Sequence, residues 1–200
     1  TNVYLYIDGQ QIGSPKAING NLPVGESRDI IVGSSWTVSY GPHTGFMDEP
    51  KIYPYARTAE EIQADYIAGA TSAGSSAVVG SPTATGAQFS EGLVGYWKMD
   101  ESSWTNDCST ATVADYSGLN NSATSCPAST GPTGGAAGKF GSAGDFDGSD
   151  DYLSLGSEVS TPIENEITVS AWAYLNTPDE ASDYRGLVTE TYSGDGDVEF

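Results

Sequence analysis

Glu166-Ile167-Thr168-Val169-Ser170-Ala171-Trp172-Ala173-Tyr174-Leu175 alternates along its whole length. Ile167, Val169, Ala171 and Ala173 fall on one side, and Thr168, Ser170, Trp172 and Tyr174 on the other. A period of two, carried by β-branched and aromatic residues, predicts a β-strand with two unlike faces. Similar but shorter runs flank it. Asp151-Tyr152-Leu153-Ser154-Leu155 and Gly144-Asp145-Phe146-Asp147-Gly148 read as strands around a Gly-Ser-Asp turn, and residues 93–99, 185–192 and 198–200 as further strands. Toward the start, Val3-Tyr4-Leu5-Tyr6-Ile7 runs into Asp8-Gly9 and the return Gln10-Gln11-Ile12, a hairpin signal. Asp29-Ile30-Ile31-Val32-Gly33 is another β-branched run. Residues 46–53 form one more strand, which Pro50 restricts to an edge or a bulge because proline cannot donate to a ladder.

One helix is expected, over 58–68. Thr58-Ala59-Glu60-Glu61 is a capping box, in which the Thr58 hydroxyl accepts from the Glu61 amide and the Glu61 side chain reaches back. Ile62 and Tyr66 share a face, and Gly69 is placed to end the helix. Residues 70–91 then turn to Ala, Ser, Gly and Thr, too small and polar to bury themselves, which marks a linker between 1–69 and 92–200.

The bulk composition agrees with an all-β chain. Twelve Tyr, 4 Trp and 5 Phe supply a core, while 25 Gly and 10 Pro supply turns. With 27 Asp and Glu against 7 Lys and Arg, the net charge is −20. A polyanion of that strength repels phosphates, which argues against nucleic acid and anionic membrane surfaces as partners. No apolar run approaches the ~20 residues of a membrane-spanning helix, and direct membrane insertion is not expected. No signal peptide is visible, since Thr1 already opens a strand-like run, so an excised or mature segment is expected. Cys108 and Cys126 flank a Ser/Thr/Asn-rich stretch without zinc-site spacing. They read as one disulfide, worth roughly 3 kcal/mol in a chain-entropy description, and point to an oxidising compartment.

Several motifs in order resemble the laminin-G-like, concanavalin A-like jelly-roll modules of bacterial and archaeal surface proteins. The opening aromatic strand ending in Asp-Glu is Gly92-Leu93-Val94-Gly95-Tyr96-Trp97-Lys98-Met99-Asp100-Glu101. An Asp-x-Ser-Gly-x-x-Asn loop follows at 115–121, then Gly-Lys-Phe-Gly (138–141), Phe-Asp-Gly-Ser-Asp-Asp-Tyr (146–152) and Thr-Val-Ser-Ala-Trp (168–172). Motifs of the second half of such modules stand earlier in the chain. They are Tyr4-Leu5-Tyr6-Ile7-Asp8-Gly9, the strand 46–53, and Tyr55-Ala56-Arg57-Thr58 leading into the helix. The resemblance implies an antiparallel jelly-roll β-sandwich. The order implies that 1–69 ends one module and 92–200 begins the next in a tandem array; a circular permutation is the other arrangement.

The same resemblance implies calcium, held by Asp115, the Gly118 carbonyl, Asn121 and Asp48. Residues 115–121 also read simply as an Asx-turn that closes a loop without metal. Trp104 and Trp36 are the least periodic tryptophans and are the candidates for stacking on sugars, with burial under a loop as the competing reading. Trp97 and Trp172 read as core. Catalysis is not expected: Asp145/Asp147 lead into a turn, Asp48/Glu49 point to opposite faces, and the one histidine, His43, has no triad partners. The expected function is a non-enzymatic, extracellular adhesion or carbohydrate-binding module at the cell surface, with glycans as partners. The alternative is a structural repeat whose neighbouring copies complete it into a homopolymeric fibre or surface layer.

Overall fold

The computed structural model describes residues 2–17, 29–34, 41–71, 92–159, 163, 166–176, 186–190 and 198–199. Its elements in chain order are β1 (Asn2–Ile7), β2 (Gln10–Ala17), β3 (Ile30–Val32), β4 (Thr44–Tyr53), α1 (Ala59–Thr71), β5 (Gly95–Tyr96), β6 (Ala111–Val113), β7 (Ala123–Cys126), β8 (Thr133–Ala137), β9 (Ser142–Asp147), β10 (Tyr152–Ser154), β11 (Thr168–Leu175), β12 (Val188–Glu190) and β13 (Val198–Glu199). A short 3-10 turn, Ser157–Val159, follows β10.

Two sheets form an antiparallel β-sandwich. One has six strands in the order β13-β12-β3-β10-β7-β6; the other has five, β11-β4-β9-β8 with β5 also on β4. β1 and β2 make a separate two-stranded hairpin turning at Asp8 and Gly9. Strands from before and after 72–91 interleave in both sheets. β3 lies between β12 and β10, and β4 between β9 and β11.

The core lies between the sheets because alternation places one face of each strand inward. Val32, Leu153, Val113 and Val188 come from the six-stranded sheet and Met47, Ile52 and Phe146 from the five-stranded one, with Trp97, fully buried, among them. The Trp97 indole donates to Asn121 O at 2.9 Å, so its polar atom is satisfied as deep burial requires.

Of the two settings that Pro50 allowed, an edge or a bulge, the structure has the bulge. The strand is central, and the irregularity sits at a bulge: Glu49 has φ of 56° and the register against β11 shifts between Ser170 and Trp172. The capping box forms as expected, with Glu61 N to Thr58 Oγ1 at 3.2 Å and Thr58 N to Glu61 Oε2 at 2.8 Å. Gly69, however, does not end the helix, which continues through Ala70 to Thr71. Gly69 instead gives β11 room: a Cβ there would stand 2.5 Å from the Trp172 ring. The rest of the expected linker, 72–91, lies outside the described residues.

Candidate functional site

The bulge at Asp48 and Glu49 decides what faces outward. Met47 points into the core, so Phe46 and Asp48 on either side of it point away from the six-stranded sheet. Across the ladder, Phe46 pairs with Tyr174 and Asp48 with Trp172. These four side chains, with Lys139 and Asn176 at the margins and Ala137, Gly138, Ala143 and Ala173 as the floor, line a cleft of about 480 Å³. Trp172, read as core from its alternation, is therefore an outward residue, and α1 covers much of it. Tyr66 stacks on it with centroids 5.8 Å apart, and Lys139 Nζ lies 4.9 Å from its ring centroid. Tyr174 is the open aromatic: it is 62% exposed and stacks beside Phe46 at 5.9 Å.

Asp48 is the polar group of the cleft. It is buried, and its Oδ2 accepts from Phe140 N at 2.8 Å. Its Oδ1 is buried without a hydrogen-bond partner among the described residues. Burial, with a smaller contribution from Glu49 and Asp100, pushes its carboxyl up to about 7, against the lowering effect of the Phe140 amide. The neighbouring Glu49 is turned elsewhere: it accepts from the Tyr96 hydroxyl and pairs with Lys51 Nζ at 3.8 Å. Burial raises its carboxyl too, and the Tyr96 and Lys51 contacts oppose that rise.

Of the four residues expected to hold calcium, Asp115, Gly118 and Asn121 share one loop, while Asp48 is held by the Phe140 amide. Asp115 bonds to its own loop and to β5: Oδ1 accepts from Tyr96 N at 3.0 Å and Ser117 N at 2.8 Å, and Oδ2 from Ser117 Oγ at 2.7 Å and Asn121 N at 2.9 Å. Asn121 donates through Nδ2 to Val94 O at 2.8 Å, while its carbonyl holds Trp97. Gly118 is exposed at the loop tip. Asp48 is bonded to the 138–140 turn instead. Within this loop Asp115 makes the hydrogen bonds of an Asx-turn.

Trp104 is partly buried against the core and meets Phe146 edge-on at 6.5 Å. Trp36 lies outside the described residues. Cys108 and Cys126 are joined by a disulfide. The cleft residues Tyr174 and Phe46 were both visible as alternating strand positions, but only the pairing of β4 with β11 shows that they meet.

Residues 1–63 match the family model described as the concanavalin A-like lectin/glucanases superfamily, as expected of a laminin-G-like module. No curated protein and no solved structure matches the chain significantly. The matched segment contains β1 to β4 and the first turn of α1, and so contributes Phe46 and Asp48 to the cleft. The match over 1–63 and the two-sheet architecture agree with a β-sandwich of the concanavalin A-like fold.

Proposed function

We propose that this domain binds neutral glycans outside the cell through the cleft between β4 and β11, without catalysing their cleavage. The observation that carries this reading is the exposed Tyr174 ring in a cleft that Lys139 and Asn176 also line. An open aromatic face stacks on the apolar face of a pyranose, and the polar side chains at the margins can bond its hydroxyls. The net charge of −20 disfavours sulfated and uronic acid glycans, which leaves neutral ones as the better ligands. Glycoside cleavage needs two carboxyls flanking the bond, whereas Asp48 is the one carboxylate in the cleft lining among the described residues. The Cys108–Cys126 disulfide supports an extracellular, surface-displayed setting. Among the described residues no helix is long and apolar enough to cross a membrane.

A glycan array, probed with the wild-type chain and with Tyr174→Ala, tests this reading. Binding to neutral glycans that disappears in the variant is expected. Failure to bind any glycan, or binding indifferent to Tyr174→Ala, would sink it.

A second role has its own observation. Among the described residues the β1–β2 hairpin pairs with neither sheet, and it exposes Leu5, Ile7 and Ile12. Unpaired edges with apolar side chains suit addition of a neighbouring copy, as in a fibre or surface layer. Light scattering that grows with concentration and is suppressed by Ile12→Lys is the expected result; a monomer at every concentration would remove this role.

A further inference from the structure

The turn from β9 to β10 brings three carboxylates together, those of Asp147, Asp150 and Asp151, with one oxygen of each within 4.8 Å of the others. The backbone is folded to hold them close. Asp147 N donates to Asp151 Oδ2 at 2.7 Å, and Ser149 N donates to Asp147 Oδ1 at 2.7 Å. Gly148 permits the turn: its φ is 81°, and a Cβ would overlap Thr44 Oγ1 at 1.8 Å. Asp147 and Asp150 are exposed, but Asp151 is only 2% exposed.

The second oxygen of Asp151 marks this turn as more than an acidic surface. Oδ1 is buried and has no hydrogen-bond partner among the described residues. A carboxylate oxygen removed from water and left unpaired is costly, and two further negative groups beside it add repulsion. A cation held by the three groups relieves their repulsion and neutralises the carboxylate that carries the bare oxygen. All the donors are hard oxygens, with neither His nor Cys in the group, which suits an alkaline-earth ion rather than a transition metal. Carboxylates of one irregular turn, completed by water, match the flexible coordination of Ca²⁺ better than the strict octahedron of Mg²⁺. We propose that Asp147, Asp150 and Asp151 form a Ca²⁺ site that fastens the β9–β10 turn, separate from both the glycan cleft and the 115–121 loop.

The test uses the whole chain, stripped with a chelator and titrated with Tb³⁺, whose luminescence the adjacent Tyr152 can sensitise. The bound Tb³⁺ is then displaced with CaCl₂, MgCl₂ or NaCl at matched ionic strength. One saturable site is expected, displaced by CaCl₂ roughly tenfold or more better than by MgCl₂ and not by NaCl. Asp150→Asn, an exposed change that leaves the fold alone, weakens Tb³⁺ and Ca²⁺ binding roughly tenfold or more, and Asp151→Asn removes it. Asp115→Asn leaves it unchanged. Uptake without saturation, displacement by NaCl or equally by MgCl₂, or affinity unaltered in Asp150→Asn overturns the proposal. Should Asp151→Asn not fold, Asp150→Asn decides alone.

Discussion

The 115–121 loop and the 147–151 turn are both acidic, both glycine-containing and both placed beside a strand of the sandwich, yet they are in opposite states. Asp115 accepts four hydrogen bonds, two on each oxygen. Asp151 accepts one from Asp147 N and keeps a buried oxygen bare. The difference lies in how many amides and hydroxyls each turn aims at its carboxylate, and not in how many acids it contains. A loop whose carboxylate is saturated holds itself shut. A loop whose carboxylate is half-satisfied is unstable alone and has capacity for a ligand.

Asp48 extends the contrast, because it too has one oxygen bonded and one bare. Its carboxyl is raised from 3.8 to about 7 in the folded chain. Folding therefore favours the protonated form: the contribution is fully present below the unfolded value and is lost as pH rises toward 7. The difference in unfolding free energy between wild type and Asp48→Asn should thus change by up to about 4 kcal/mol between pH 4 and 8, the wild type losing ground. Urea titrations across that range measure it. A pH-independent difference would mean that Asp48 is solvated like an ordinary surface acid.

Asp115→Ala should cost about 3 kcal/mol, since it strands the amides of Tyr96, Ser117 and Asn121 around the buried Trp97. Calcium should not alter that loss. A calcium-dependent loss would erase the distinction between the two loops.

Asp151→Asn should act in the opposite direction on metal-free protein. The Asp151 carboxyl is raised to about 6, chiefly by burial and then by Asp147, Asp150 and Asp145. Neutralising it should stabilise the fold by about 1–2 kcal/mol above pH 6, with the gain vanishing near pH 4. Thermal melts in the presence of chelator read this directly, and destabilisation at pH 8 would show that the bare oxygen costs nothing.

Much of the architecture was legible in the sequence because it follows from local rules. Alternation in 166–175, the Asp8-Gly9 turn and the Thr58/Glu61 box each announce their element in a few residues. Strand order was not legible, since β4 reaches its neighbours β9 and β11 across the whole length of the chain. Pro50 left an edge or a bulge open, and only the pairing of β4 on both sides shows that it is the bulge, in a central strand. Trp172 alternated like a core residue because period two separates two faces without saying which is inward. The site residues were harder still. The Asp-x-Ser-Gly-x-x-Asn spacing is the same whether its carboxylate faces a cation or its own amides. The Asp147–Asp151 run shows its charges in the sequence, but the bare oxygen exists only through burial.

The smallest expected effect on stability bears on the central claim. Tyr174→Ala removes an exposed ring and should change unfolding free energy by no more than about 0.5 kcal/mol, while removing the open aromatic face of the cleft. Saturation-transfer NMR on a neutral oligosaccharide mixed with the chain measures the contact itself: aromatic protons of the protein are irradiated and the sugar protons are observed. Strong transfer to the ring protons of one pyranose face, lost in Tyr174→Ala with the fold intact, is the predicted result. Transfer of equal strength in wild type and variant, or none in the wild type, would contradict glycan binding in this cleft.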